Sequence, residues 1–313
     1  MKPSCSRRFA TRRLSDLRRE KCATPLTHPF PLPHAGEGKV RRASGCSPLA
    51  LDLADWRAYI QRHSATPRPS WPPTSRSARF RLSVRRVRIG AGTVVGPHAV
   101  ITGRTTIGER NRIFQFASIG DIPQDRKYGG EPTTLSIGDD NIVREYVSIH
   151  AGTAQDRGTT TIGNGNWLLG YTHIAHDCRI GNQTTFSNNS QLAGHVTIDD
   201  FVTLGGFTGV HQFCRIGAHA MVAAGAIVLQ DVPPFVTVSG YPAKPAGTNN
   251  EGLRRRGFSP ADIAVVRRAY KTLYREHLSL ADAKASLGQT ATEHPVLVPL
   301  IAFLARTDRG IVR

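Results

Sequence analysis

The stretch HIAHDC at 173–178 sets two imidazoles three residues apart, His173 and His176, with the Asp177 carboxylate beside the second. His150 precedes it, and His195 and His211 follow. Two chemistries suit such a set. A histidine titrates near neutrality and can serve as a general base. Three histidines can also hold zinc, as in some trimeric enzymes whose metal bridges subunits. The residue types leave both open, beside a third reading with no catalytic role. The question is whether the fold gathers these side chains.

Apolar residues recur every six positions: Ile89, Val95, Ile101, Ile107, Ile113 and Ile119, then Ile137, Val143 and Ile149. From Ile162 the step runs unbroken through Leu168, Ile174, Ile180, Phe186, Leu192, Ile198, Leu204, Val210, Ile216 and Val222 to Val228. A period of six matches neither a helix nor a plain strand alternation. It fits a hexapeptide parallel β-helix. Each hexad gives a short strand and a bend, and three hexads make a triangular coil. Coils stack at about 4.8 Å, burying a face that one coil alone could not.

Every third hexad returns to the same face, so Ile174, Leu192 and Val210 should form a column. Allowing for one seven-residue insertion, Ile149 joins it. His150, His173, His176, His195 and His211 then lie near one face, with Asp177 and His195 at equivalent positions of successive coils. Two excursions break the repeat. In DIPQDRKYGGEPTTLS, Asp125 and Glu131 fall where aliphatic residues belong, so this stretch is expected to leave the coil as a loop. AGTAQDRGTTT, after His150, holds a second. Long loops in regular folds often carry function.

Beyond Pro242 the pattern changes. Ser259-Pro260 reads as a helix cap and first-turn proline. Ser279 caps a second helix, and Pro295 opens a third in which Pro299 sits early. The expected organisation is an atypical segment over 1–86, a parallel β-helix over 87–248 and a small helical domain over 249–313.

The formal net charge of +18 suggests a nucleic-acid ligand, but its distribution argues otherwise. Residues 1–86 hold 19 Lys and Arg against 5 Asp and Glu, whereas residues 87–313 hold 22 against 18. The basicity belongs to the first segment, so no nucleic-acid partner is expected. There is no apolar run long enough for a membrane span and no h-region for a secretory signal, so no integral membrane contact is expected. Cys5, Cys22, Cys46, Cys178 and Cys214 show no CxxC spacing. Cys178 and Cys214 read as small buried thiols suited to a reducing cytoplasm.

FQFASIGDIPQDRKYGGEPT at 114–133, HIAHDC at 173–178, LAGHVTIDDF at 192–201, GVHQFCRIGAHAMV at 209–222, QDVPPF at 230–235 and EGLRRRGFS at 251–259 together resemble the UDP-N-acetylglucosamine O-acyltransferase family. The resemblance runs from about Val87 to Arg313. It implies a left-handed superhelix and a cytoplasmic homotrimer with active sites between neighbouring prisms, using no cofactor and no metal. The donor it implies is a (R)-3-hydroxyacyl thioester on acyl carrier protein. The acceptor is the 3-hydroxyl of UDP-N-acetylglucosamine, in the first acylation of lipid A synthesis. His176 matches the general base and the Gly194 N–H the oxyanion donor. Asp125, Lys127, His150, His173, His195, His211, Gln212, Asn249, Glu251 and Arg255 match positions that bind nucleotide sugar or acyl donor. Ala224 stands where the family's chain-length position is glycine in long-chain members.

Other functions remain in view. A related hexapeptide acyltransferase with an amine acceptor would need an N-terminal uridine-binding domain. A zinc-dependent trimeric β-helix enzyme would use the histidines as ligands. A purely structural β-helix leaves HIAHDC and the first loop without a reason. The segment 1–86 shows no hexad, and strings such as HPFPLPHAGEG and PRPSWPPT favour disorder or a misassigned start over a functional domain.

Overall fold

The computed structural model describes residues 76–77, 86–307 and 310–313. The expectation for segment 1–86 therefore lies almost wholly outside the described residues.

From Arg88 onward the chain makes a short strand about every six residues, and the strands assemble into three parallel faces. The first face climbs from Arg88–Ile89 to Arg215–Ile216. The second includes Val94–Val95 to Met221–Val222, and the third runs from Val100–Ile101 to Ile227–Val228. The chain visits them in that order, once per coil. Along the strands an outward residue alternates with a buried, mostly aliphatic one. On the third face Ile174 stands opposite Leu192, and Leu192 opposite Val210. Their exposures of 0%, 1% and 4% place the column in the core. Each such side chain contributes roughly 1.5–3 kcal/mol by burial.

Three corners join the faces. Between third and first, the coil turns through residues with left-handed backbone, Asp177 at φ 59°, His195 at 64° and Phe213 at 65°. This conformation costs about 1–2 kcal/mol at each non-glycine residue. Stacking offsets it, since the His195 N–H donates to His176 O at 3.0 Å and that of Phe213 to Gly194 O at 3.2 Å. Between first and second runs a buried ladder. The N–H of Asn141 donates to Asn111 Oδ1 at 2.9 Å, Asn166 to Asn141 Oδ1 at 2.8 Å, and Thr184 to Asn166 Oδ1 at 2.8 Å. The side-chain oxygens thus pair buried N–H groups that would otherwise be costly to bury. Between second and third, the rings of His98, Phe116, Tyr146 and Tyr171 stack at 5.5, 5.2 and 4.8 Å on the surface.

Both excursions leave from the corner that carries His176, between third and first faces. Ser118 pairs with Val100, 18 residues before it, and with Ser148, 30 after it. Ser148 in turn pairs with His173, 25 residues on. The loops therefore add twelve and seven residues to successive coils. The repeat also reaches further back than the aliphatic series suggests, because Arg76–Ser77 pairs in parallel with Val94–Val95. Ser77 holds the register place that Val95 fills one coil later, so hydrophobicity gave no sign of it.

After the last coil, Val236–Ser239 pairs antiparallel with Lys244–Thr248 at the end of the second face. Helices α1 (Asn250–Arg255), α2 (Pro260–Tyr274), α3 (Leu280–Glu293) and α4 (Val298–Ala305) follow. Ser259 Oγ and Ser279 Oγ accept from the Asp262 and Asp282 N–H groups at 3.0 and 3.1 Å, the capping expected from sequence. Pro299 fits because Pro295–Leu297 is a separate 3₁₀ turn, which leaves the proline in the first turn of α4. Leu253, Ile263, Leu287, Leu300 and Phe303 form the core of this tail. Among the described residues no helix is long and apolar enough to cross a membrane.

Candidate active site

His176 stands at the corner between third and first faces, its side chain 14% exposed. Its Nδ1 lies 2.9 Å from Asp177 Oδ2. The Asp177 carboxylate is itself buried and anchored. It accepts the Thr153 N–H at 2.9 and 3.1 Å and the Thr153 hydroxyl at 2.7 Å. Its own N–H donates to Thr160 Oγ1 at 2.8 Å. With Asp177 accepting from Nδ1–H, the imidazole is left with Nε2 as a proton acceptor. Burial would raise the Asp177 pKa, but hydrogen bonds from His176 and Thr153 outweigh it and hold the carboxyl below its ordinary value.

One coil above, Gly194 lies against the His176 ring. A Cβ there would stand 2.5 Å from Cε1 and 2.8 Å from Nε2 of the imidazole, so a side chain at 194 displaces the base. The Gly194 N–H donates no hydrogen bond among the described residues. His195 meets His176 edge-on at 5.1 Å and stacks on Phe213 at 4.5 Å. Its Nδ1 contacts Asp156 Oδ2 at 3.0 Å, and its Nε2 lies 3.9 Å from Asp177. Below, His150 and His173 meet edge-on at 5.2 Å, with Ser148 Oγ 2.8 Å from His173 Nδ1. His211 is exposed at the same corner, its Nδ1 3.1 Å from Gln212 O. In the first loop Asp125 Oδ1 accepts the Lys127 N–H at 3.0 Å, an Asx turn in place of an ion pair.

The same corner therefore holds His150, His173, His176, Gly194, His195, His211 and Gln212, and both loops emerge from it. Asn249, Glu251 and Arg255 are elsewhere. Asn249 Nδ2 donates to His219 O at 2.9 Å, at the corner between first and second faces. Glu251 pairs with Arg254 at 3.1 Å and Arg255 at 3.0 Å. Ala224 is exposed at the third corner, between Met221–Val222 and Ile227–Val228. One chain thus spreads the expected site over three edges of the prism.

Among the described residues neither cysteine is placed to act as a nucleophile. Cys178 and Cys214 are both buried, and burial pushes the Cys178 thiol up to about 12. Among the described residues His176, Asp177 and His195 could jointly hold a metal ion, with one ligand atom each within 4.8 Å of the others. The hydrogen bonds already on Asp177 and on Nδ1 of His176 use those atoms to orient the imidazole.

A family model described as Udp N-acetylglucosamine O-acyltransferase, domain 2, matches residues 231–312, and one for the bacterial transferase hexapeptide matches 159–194. A Thiobacillus denitrificans acyl-(acyl-carrier-protein)-UDP-N-acetylglucosamine O-acyltransferase is 57% identical over 204 residues, 65% of this chain and 79% of the relative. Its Herminiimonas arsenicoxydans counterpart is 55% identical over 243 residues, 72% of this chain and 93% of the relative. The chain belongs to the UDP-N-acetylglucosamine O-acyltransferase family. The Francisella novicida UDP-N-acetylglucosamine acyltransferase structure aligns with TM-score 0.74 at 41% identity, covering 77% of this chain and 91% of that one. Acinetobacter baumannii LpxA aligns with TM-score 0.73 at 42% identity, covering 77% and 96%. The fold is accordingly a left-handed parallel β-helix, and the chain is an acyltransferase.

Within this acyltransferase framework two contributors to the corner, and one residue away from it, escaped the sequence reading. Thr153 and Asp156 come from the second loop, where no motif marks them. Their signal is positional, since a loop leaving the same corner must cover the histidines. His219 lies elsewhere, stacked between Phe201 at 4.7 Å and Phe235 at 5.8 Å, with Phe258 edge-on at 5.0 Å. Its neighbours Phe201, Asn249, Arg255 and Arg256 line a cavity of about 450 Å³.

Acid should destabilise this chain through its buried histidines. Burial lowers His173 from its ordinary 6.5 to about 4, with His150 and His176 adding repulsion. Burial likewise lowers His219 to about 4, with Arg256 opposing protonation and Asp200 favouring it. His150 is lowered by the same cause. The unfolded chain then binds more protons than the folded one below pH 6.5, so stability falls as pH drops from 6.5 towards 4. Urea midpoints measured between pH 7 and 4.5 should decline across that window, and less steeply in His219→Phe. A flat profile would contradict the assignment.

Proposed function

We propose that this chain transfers a (R)-3-hydroxyacyl group from acyl carrier protein to the 3-hydroxyl of UDP-N-acetylglucosamine, the first acylation of lipid A synthesis. The observation that carries the reading is His176, oriented by Asp177 and pressed against Gly194, in a chain of this family. His176 Nε2 takes the proton of the sugar hydroxyl as its oxygen attacks the thioester carbonyl. The Gly194 N–H donates to the oxyanion of the tetrahedral intermediate. Collapse breaks the carbon–sulfur bond, and the leaving thiolate takes the proton back from His176. No acyl-enzyme forms.

Asp125, Lys127, His150, His173, His195, His211 and Gln212 line the acceptor and donor path at this corner. Asn249, Glu251 and Arg255 come from a different edge of the prism, as does Ala224. A homotrimer, with the edge of one prism set against its neighbour, unites such a divided set. The buried thiols of Cys178 and Cys214 suit a cytoplasmic protein.

The test is an assay of purified protein with UDP-N-acetylglucosamine and (R)-3-hydroxyacyl carrier proteins of several lengths. The expected product is the 3-O-acyl nucleotide sugar, and its absence with every donor would overturn the reading. Ala224→Gly should move donor preference towards longer chains, because one methyl group in the acyl slot displaces about one methylene, worth roughly 1–3 kcal/mol. Competition between two donors measures the shift, and an unchanged ratio would remove Ala224 from that role.

A further inference from the structure

A second cavity of about 450 Å³ lies where α2 ends, lined by Lys244, Tyr270, Tyr274, Arg275, His277 and Arg313, with Pro245, Leu273 and Leu278 as its apolar part. Among the described residues no carboxylate side chain lines it. Neither Lys244 nor Arg275 enters an ion pair among the described residues. Glu276 lies next to Arg275 in sequence but is turned to the Thr272 hydroxyl, at 3.2 Å. The Arg313 guanidinium is held in place by Leu278 O at 3.3 Å and Leu273 O at 3.1 Å.

The tyrosines are the second observation. Their rings lie 4.9 Å apart, and both hydroxyls are buried without a hydrogen-bond partner. A buried hydroxyl left unpaired is costly, so native structures rarely keep two together without reason. Burial raises the Tyr274 pKa, which keeps the phenol protonated and able to donate. Cations without an ion-pair partner among the described residues, beside tyrosines whose hydroxyls are left unsatisfied, are features that recognise an anion.

We propose that this cavity binds a small phosphate monoester. The phosphate dianion would face Lys244, Arg275 and Arg313, and the organic part would lie over Leu273, Leu278 and Pro245. A dianion suits three cations better than a carboxylate does, and the volume exceeds what inorganic phosphate alone fills. The site is separate from the corner that carries His176, and it does not depend on the acyl-transfer reading.

Isothermal titration calorimetry on the full chain tests this, with glycerol 3-phosphate, inorganic phosphate and acetate as probes. Glycerol 3-phosphate should bind more tightly than inorganic phosphate, and acetate least. Equal affinity for the two phosphates would mean that the apolar part is unused and would overturn the monoester assignment. Arg275→Gln and Lys244→Gln alter exposed residues and should each weaken binding about 10–100-fold, the span of one charge-assisted hydrogen bond. Tyr274→Phe should weaken it as well. If that variant fails to fold, the two exposed-site variants decide alone. Binding should survive His176→Ala and saturation with UDP-N-acetylglucosamine. No binding at millimolar probe, unchanged affinity in the variants, or displacement by the nucleotide sugar would each sink the proposal.

Discussion

His176→Ala is expected to abolish nearly all acyl transfer while leaving the β-helix folded. Loss of a general base typically costs about 10²–10⁴ in rate, and no other imidazole stands against Gly194 in its place. The fold should survive because the side chain sits at a corner, outside the aliphatic column. Asp177 also keeps its three hydrogen bonds from Thr153. Thermal unfolding should move little, whereas kcat should collapse with KM nearly constant. Turnover within tenfold of the parent would mean that another group removes the proton.

Gly194→Ala should be nearly as damaging, by a different route. The new Cβ would stand 2.5 Å from the His176 ring, a separation that carbon atoms do not tolerate. The imidazole must swing away, breaking its 2.9 Å contact with Asp177. The backbone of Gly194 is not in the left-handed region, so alanine brings no backbone strain and the N–H stays where it was. A fall of about 10²–10³ in kcat is expected, the size seen when one well-placed group of an oxyanion site is lost. Because the base is displaced and not deleted, the pH–rate profile should shift along with the rate. Parent-like kcat and pH dependence would show that the ring is not held against this coil.

These residues also mark how far the amino-acid sequence could be read. The aliphatic step of six located the faces, and from them the shared corner of His176 and His195, because one buried residue per strand is all a coil needs. The first loop was harder to see. Its twelve extra residues are two whole hexads, so Ile119 and Ile137 stay in step across it, and only Asp125 and Glu131 betray it. Ser77 failed for the opposite reason, a true register place without an apolar residue. Thr153 and Asp156 lie on a loop with no period at all. Their contacts to Asp177 and His195 follow from chain path, which local pattern does not encode. The resemblance supplied Asn249, Glu251 and Arg255, yet counting hexads gave no hint that they sit on another edge.

The 18-residue offset between paired strands has a consequence for how such a chain can change length. Removing a single hexad from an uninterrupted coil would turn everything downstream by one third of a revolution about the prism axis. His195 and Gly194 would then travel to a different edge from His176, although every aliphatic residue would still point inward. The core would be indifferent to the deletion and the chemistry would not. Lengthening or shortening is neutral for the site only in whole revolutions, or at corners where extra chain can bulge outward, as the two loops do. The scaffold thus behaves like a screw thread. Its pitch, more than any single contact, fixes which residues of neighbouring coils meet.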